Sequence, residues 1–201
     1  SNFSTKFKNK LISIGAQNCH ENEKFGPFTG SVSSLMLKKS GASYVILGHS
    51  ENRKEGETNK KIKSKIKSAL NQKLKVIFCV GESLKDKNQS TTLKTLKKQM
   101  KGSLSKGFDY KKILIAYEPV WSIGTGKIPK IDELKKTFKF IKNEFKNNFG
   151  AKTFPVVLYG GSVNSENVSV FSSIYDIDGF LIGGASQSSK KFIDIIKNYY
   201  K

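Results

Sequence analysis

The chain has 201 residues and a formal net charge of +20, a length that suits one domain with a core of its own. No apolar run approaches the ~20 residues that cross a bilayer. Cys19 and Cys79 lack CxxC spacing or a second pair, so a membrane span, a disulfide framework and a zinc site are all unexpected.

A reducing, cytoplasmic setting is the expectation that follows. Of the 36 basic residues only Arg53 is an arginine, and the lysines are spread from Lys6 to Lys201. Nucleic-acid binders concentrate their charge and favour arginine for bidentate contacts, so a nucleic-acid partner is not expected. A small anionic substrate would still gain in encounter rate from the positive field.

Ser1 to Lys10 is basic and free of acids, and reads as the tail of a helix running into the first strand. From there short apolar runs alternate with longer amphipathic ones. The spacing predicts strands at Leu11–Ala16, Tyr44–Leu47, Lys75–Val80, Ile113–Tyr117, Val156–Tyr159 and Gly179–Ile182. Each is brief and rich in Val, Ile and Leu, as parallel strands buried on both faces are. Helices are predicted at Val32–Ser40, Asn59–Gln72, Thr91–Ser105, Ile131–Phe149, Ser165–Ser173 and Lys190–Tyr199. In the second of these Ile62, Ile66 and Leu70 recur every fourth position with lysines between them.

Such alternation predicts a parallel α/β architecture. Gly15-Ala-Gln-Asn after the first strand is not a dinucleotide fingerprint, and the residues able to do chemistry cluster at strand exits. That is the habit of a (β/α)₈ barrel, which has eight units and about 250 residues. About six units are visible here, so the expectation is one incomplete barrel domain over 1–201 that lacks the first two units.

The exits are specific. After Tyr44–Leu47 comes Gly48-His49-Ser50-Glu51, where the glycine allows a sharp turn and His49 opens a short helix. A helix N-terminus favours neutral imidazole, which donates a hydrogen bond to a carbonyl without acting as a strong acid. After Ile113–Tyr117 comes Glu118-Pro119-Val-Trp121, then Ser122-Ile-Gly-Thr-Gly-Lys127. A carboxylate at a buried strand end is poorly solvated and gains basicity. The segment after it suits a lid, stiffened by proline and tipped with glycine. Tyr159-Gly-Gly-Ser162-Val and Gly183-Gly184-Ala-Ser offer backbone amides that a phosphate can approach, at the loops where barrels bind phosphate.

Taken in order, Gly-Ala-Gln-Asn, Gly-His-Ser-Glu, Ala-Tyr-Glu-Pro-Val-Trp, Ile-Gly-Thr-Gly-Lys, Tyr-Gly-Gly-Ser-Val and Gly-Gly-Ala-Ser make the chain resemble the triosephosphate isomerase family from about Gly15 to the C-terminus. The resemblance implies a TIM barrel and a glycolytic and gluconeogenic aldose–ketose isomerase, converting dihydroxyacetone phosphate and glyceraldehyde 3-phosphate through an enediolate. It assigns the base to Glu118, the electrophile to His49, and a catalytic place to Glu51. It gives the phosphate to Ile123, Gly124, Ser162, Gly183 and Gly184. No cofactor and no metal are implied. Gln17–Gly30 resembles a loop that enters a neighbouring subunit, so a homodimer is expected. Glu82 is the family's acceptor for the Trp121 indole, and Cys79 matches a buried structural cysteine.

The family's Asn-x-Lys at the exit of its first strand has no counterpart at a strand exit here, which deprives Glu51 of a partner. As given, the chain is expected to have little activity and to expose unpaired sheet edges that favour aggregation. Ser122 stands where the family has alanine. The alternatives are a non-catalytic truncated barrel and a basic polyanion-binding protein, the latter marked by a steep salt dependence.

Overall fold

The computed structural model describes residues 11–149 and 155–200, so the helix tail read at Ser1–Lys10 lies outside the described residues. The described residues form two compact units, one within 11–79 and 99–114 and one within 80–98, 115–149 and 155–200.

In the first unit, β1 (Gly15–Ala16), β2 (Tyr44–Leu47) and β3 (Lys75–Val80, whose last residue belongs to the second unit) pair parallel in that order, with Gly15 opposite Tyr44 and Tyr44 opposite Lys75. The connections carry α1 (Ser34–Lys39) between β1 and β2, then α2 (Ser50–Lys54) and α3 (Asn59–Asn71) between β2 and β3. Thr58 caps α3, its hydroxyl accepting from the Lys61 amide at 3.2 Å. Ile62, Ile66 and Ala69 are fully buried on one stripe of α3, as are Val45, Leu47, Val76 and Phe78 of β2 and β3. Each large apolar side chain so buried stabilises the unit by about 1.5–3 kcal/mol. The helix ends at Asn71 and is capped by Gln72; Lys73 follows with a φ of 58° that turns the chain back, while Leu74 N–H bonds the Ala69 carbonyl at 3.0 Å.

The first strand is shorter than expected. Only Gly15 and Ala16 join the ladder, and Leu11 and Ile12 are exposed. Ile14 contributes its carbonyl alone, accepting from Ser43 at 2.8 Å.

In the second unit, α4 (Leu84–Asn88) and α5 (Thr92–Ser103) precede β4 (Ile113–Tyr117); α5 and β4 straddle the boundary between units. The strand continues to α6 (Ile131–Phe149), β5 (Val157–Tyr159), β6 (Gly179–Phe180) and α7 (Ser189–Tyr199). Residues Ile115–Tyr117 of β4 pair parallel with β5, and β5 pairs parallel with β6. Leu134, Phe138, Ile141 and Phe145 line the buried face of α6, the i, i+4, i+7, i+11 spacing of a helix packed on a sheet.

Other elements also depart from the expectation, β6 ending at Phe180 and not at Ile182. Residues Val168–Ser173 form a 3₁₀ helix in place of an α-helix. Ser172 and Ser173 donate to the carbonyls three residues back, at 2.7 and 3.0 Å, which favours the tighter winding. Helix α4 was not anticipated, although its signal is present: Ser83 and Asp86 form a reciprocal capping box.

Candidate active site

Histidine 49 owes its position to the end of β2. Gly48 has φ +74°, and a Cβ there would lie 3.2 Å from both the Cys79 carbonyl and Ile62 Cδ1, so conformation and space both require glycine. Arg53 fastens the same corner. Its Nε donates to the Gly48 carbonyl at 2.7 Å, Nη2 to the Cys79 carbonyl at 3.1 Å and Nη1 to Asn59 Oδ1 at 2.7 Å. The chain's only arginine thus joins the ends of β2 and β3 to the start of α3, a role that a rigid guanidinium fork suits.

His49 is the N-cap of α2, with Nδ1 accepting from the Glu51 amide at 3.4 Å. An accepting Nδ1 bears no proton, which leaves Nε2–H as the donor face of a neutral ring. The Glu51 carboxylate is exposed and stands 3.9 Å from His49 Nδ1, beyond hydrogen-bonding distance.

In the second unit Glu118 follows β4 and is 2% exposed. Its amide donates to the Val80 carbonyl at 2.8 Å, and Gly160 N–H donates to the Tyr117 carbonyl at 2.8 Å. Two glycines flank it. A Cβ on Gly81 would collide with the Glu118 backbone carbonyl, and one on Gly160 would come within 2.8 Å of Glu118 Cγ. Gly160, expected to serve a phosphate, therefore makes room for the Glu118 side chain.

Around Glu118 the departing chain is anchored by Glu82, which is 2% exposed. Glu82 Oε1 accepts from the Trp121 indole at 2.8 Å and from the Tyr117 hydroxyl at 3.2 Å, so the expected acceptor for Trp121 is the one in place. Burial pushes the Glu82 carboxyl above its ordinary value, against the opposing pull of its bond to Trp121. Lys87 Nζ sits 3.5 Å from the centre of the Trp121 ring on the same segment.

The lid has buried ends and an exposed tip. Ser122 and Pro129 are buried, and Ile123 to Lys127 face solvent. Gly124 and Gly126 have φ of 71° and 76°, and Thr125 Oγ1 donates to the Ser122 carbonyl at 2.9 Å. Ser122, which stands where the family has alanine, is a junction. Its hydroxyl donates to the Lys127 carbonyl at 2.6 Å, lies 3.2 Å from the Tyr159 hydroxyl, and accepts from Ser162 N–H at 3.2 Å. Its partners lie up to 40 residues away along the chain, so no local sequence pattern marks it.

Ser162 is held further by Asn167, which donates to its carbonyl at 3.2 Å. Gly183 precedes a 3₁₀ turn over Gly184–Gln187, and the Ser186 hydroxyl donates to the Gly183 carbonyl at 2.6 Å. A Cβ built on Gly183 or Gly184 meets nothing within 4 Å, so both stand beside open space.

The loop Gln17–Gly30 belongs to the first unit. Phe25, Phe28 and Thr29 are exposed along it. Its base is fixed by Asn18 Oδ1, which accepts from Lys65 at 2.8 Å, while Lys65 also pairs with Glu57 in the interior. Cys19 is buried and its thiol is pushed up to about 11 by burial; Cys79 is fully buried, as its expected structural role requires. Among the described residues no helix is long and apolar enough to cross a membrane. No group of three or more His, Cys, Asp or Glu among them is placed to hold a metal ion.

The family model described as triosephosphate isomerase matches residues 1–199, farther toward the N-terminus than the motifs alone reach. A triosephosphate isomerase of Thermodesulfovibrio yellowstonii is 41% identical over 191 residues, covering 94% of this chain and 77% of that protein. One from Debaryomyces hansenii is 40% identical over 194 residues, covering 95% and 77%. A crystal structure of triosephosphate isomerase from Bartonella henselae superposes with a TM-score of 0.88 at 36% identity, over 98% of this chain and 80% of that one. That likeness gives the fold as part of a TIM barrel.

Proposed function

The chain belongs to the triosephosphate isomerase family and is an aldose–ketose isomerase, and on that footing we propose which of its residues do the work. Glu118 is the base. It removes a proton from the carbon beside the carbonyl of dihydroxyacetone phosphate and returns it to the neighbouring carbon. The electron pair released from the C–H bond passes into an enediolate, and no net oxidation of substrate occurs. His49, with Nδ1 occupied by the Glu51 amide, presents Nε2–H to the substrate oxygens. The pairing of a glutamate base with a neutral imidazole is this family's general case and not a result of the present structure.

The observation that carries the base assignment is the slot built for Glu118: a nearly fully buried residue whose backbone lies against Gly81 and whose side chain lies against Gly160, with the lid anchored directly after it. A carboxylate held this way is pre-positioned, and lid closure over it would exclude water. Ile123 and Gly124 of the lid, Ser162, Gly183 and Gly184 bind the phosphate through backbone amides. The open space beside Gly183 and Gly184 supports that role. Glu51 acts through His49, since its amide sets the imidazole tautomer.

The protein works as a homodimer in the cytoplasm, with Gln17–Gly30 as the intersubunit loop; the exposed Phe25 and Phe28 supply apolar surface for a second copy. The catalytic assignment is tested with Glu118→Gln in the full-length protein. Removing a general base lowers kcat by about 10²–10⁴-fold. A variant that kept kcat within about fivefold of the parent would remove Glu118 from the mechanism.

A further inference from the structure

The Ser122 hydroxyl has one proton and two lone pairs, and all three are used. The Lys127 carbonyl can only accept, so the proton goes there, across 2.6 Å. Ser122 Oγ therefore accepts twice: from Ser162 N–H and from the Tyr159 hydroxyl, each at 3.2 Å. Burial pushes the Tyr159 phenol up to about 12, so it retains the proton it donates. One fully buried oxygen thereby joins the first hinge of the lid to its far end at Lys127, and both to the turn at Gly160–Ser162.

Gly161 is part of the same design. A Cβ there would strike the Tyr159 hydroxyl and come within 2.8 Å of Ser122 Oγ. The second glycine of the pair thus leaves room for the junction, as the first leaves room for Glu118.

Each N–H donates to one acceptor at full strength. While Ser162 N–H is given to Ser122 Oγ, a phosphate oxygen cannot have it. We propose that Ser122 is a positioning residue whose hydroxyl ties both ends of the lid to the Gly160–Ser162 turn, and that a substrate phosphate claims the Ser162 amide only by displacing it. The proposal rests on the assignment of Ser162 to the phosphate. It means that phosphate binding and loosening of the lid's hinge are one exchange: the amide swaps a neutral acceptor for an anionic one, and the hinge loses its bond to the Ser162 amide in the same step while keeping those to Lys127 and Tyr159. Charge-assisted bonds are the stronger kind, so the exchange favours phosphate once it is close.

The test follows the Ser162 amide by ¹⁵N NMR while the full-length protein is titrated with inorganic phosphate. Ser122→Ala removes the acceptor; Ser122→Cys removes most of its strength while nearly keeping the volume, which guards against a loss of fold in the alanine variant. Both variants should bind phosphate about three- to tenfold more tightly than the parent, the range that one hydrogen bond of ordinary net strength allows. KM for triose phosphate should fall in the same ratio, and the Ser162 amide should exchange with solvent faster in the variants before phosphate is added. If the parent's Ser162 resonance responds to phosphate but affinity in both variants is unchanged or weaker, the latch is overturned and the phosphate assignment stands. If phosphate fails to move the Ser162 resonance in any of the three proteins, both are overturned.

Discussion

Replacing Gly160 with alanine adds one methyl group at a single measurable place. Its Cβ would stand 2.8 Å from Glu118 Cγ and 3.6 Å from Glu118 Oε1. Carbon atoms in good contact are about 3.5–4.0 Å apart, so the glutamate side chain must retreat by about 0.7–1.2 Å or the turn must shift by as much. A misplacement of about 1 Å at a reacting group costs about 10²-fold in rate. Gly160 does not have a positive φ, so backbone strain adds nothing, and overpacking of one methyl costs about 1–3 kcal/mol of stability. Gly160→Ala should therefore lower kcat by about 10²-fold, leave KM nearly unchanged and still unfold cooperatively. Steady-state kinetics beside a denaturant titration make the comparison. A kcat within about fivefold of the parent, in a folded variant, would refute the argument that Gly160 exists to seat Glu118.

Three further outcomes follow from the same geometry. The folded-state pKa of Glu82 is raised by burial above its ordinary value of 4.5, so between that value and the folded one the native state binds more protons than the unfolded. Its contribution to stability is therefore greatest below about 4.5 and is lost as pH rises through the folded value; Glu82→Gln should gain stability relative to the parent over that rise, measured by urea unfolding at several pH values, and a constant difference would contradict this. Lys65→Met strands the buried Glu57 carboxylate and should cost about 3–5 kcal/mol, of which Lys65→Met with Glu57→Leu should recover most; a double variant as unstable as the single one would count against it. Arg53→Lys keeps the charge but cannot hold the Gly48 and Cys79 carbonyls and Asn59 together, so a loss of about 2–4 kcal/mol is expected in denaturant melts, and none if the fork is incidental.

What was legible in the sequence depended on range. The strands Tyr44–Leu47, Lys75–Val80 and Ile113–Tyr117 and the helix Ile131–Phe149 have the bounds that the structure gives them, because runs of Val, Ile and Leu and a strong 3.6-residue period are local signals. The short helix opened by His49 was equally readable from Gly48-His49-Ser50. Helix α4 was missed at five residues, too short for periodicity to register, although Ser83 and Asp86 announced it. The site divided along the same line. Glu118, His49 and the lid stood out as strings of neighbouring residues. The separate tasks of Gly160 and Gly161 did not, because each depends on how distant side chains pack: Glu118 beside one, and the Tyr159 hydroxyl with Ser122 beside the other. Ser122 itself carries no local signal, since a hydroxyl's worth lies in its partners and those are set by the packing of β4 against β5.

The central claim is that Glu118 moves a proton between adjacent carbons of the substrate, and deuterium tests it most directly. The full-length protein converting dihydroxyacetone phosphate in D₂O should place solvent deuterium on the carbon that receives the proton, because a carboxylic acid exchanges with solvent while the enediolate waits. Glu118→Gln should abolish that incorporation together with turnover. Product free of deuterium from the parent, or incorporation undiminished in Glu118→Gln, would contradict the account.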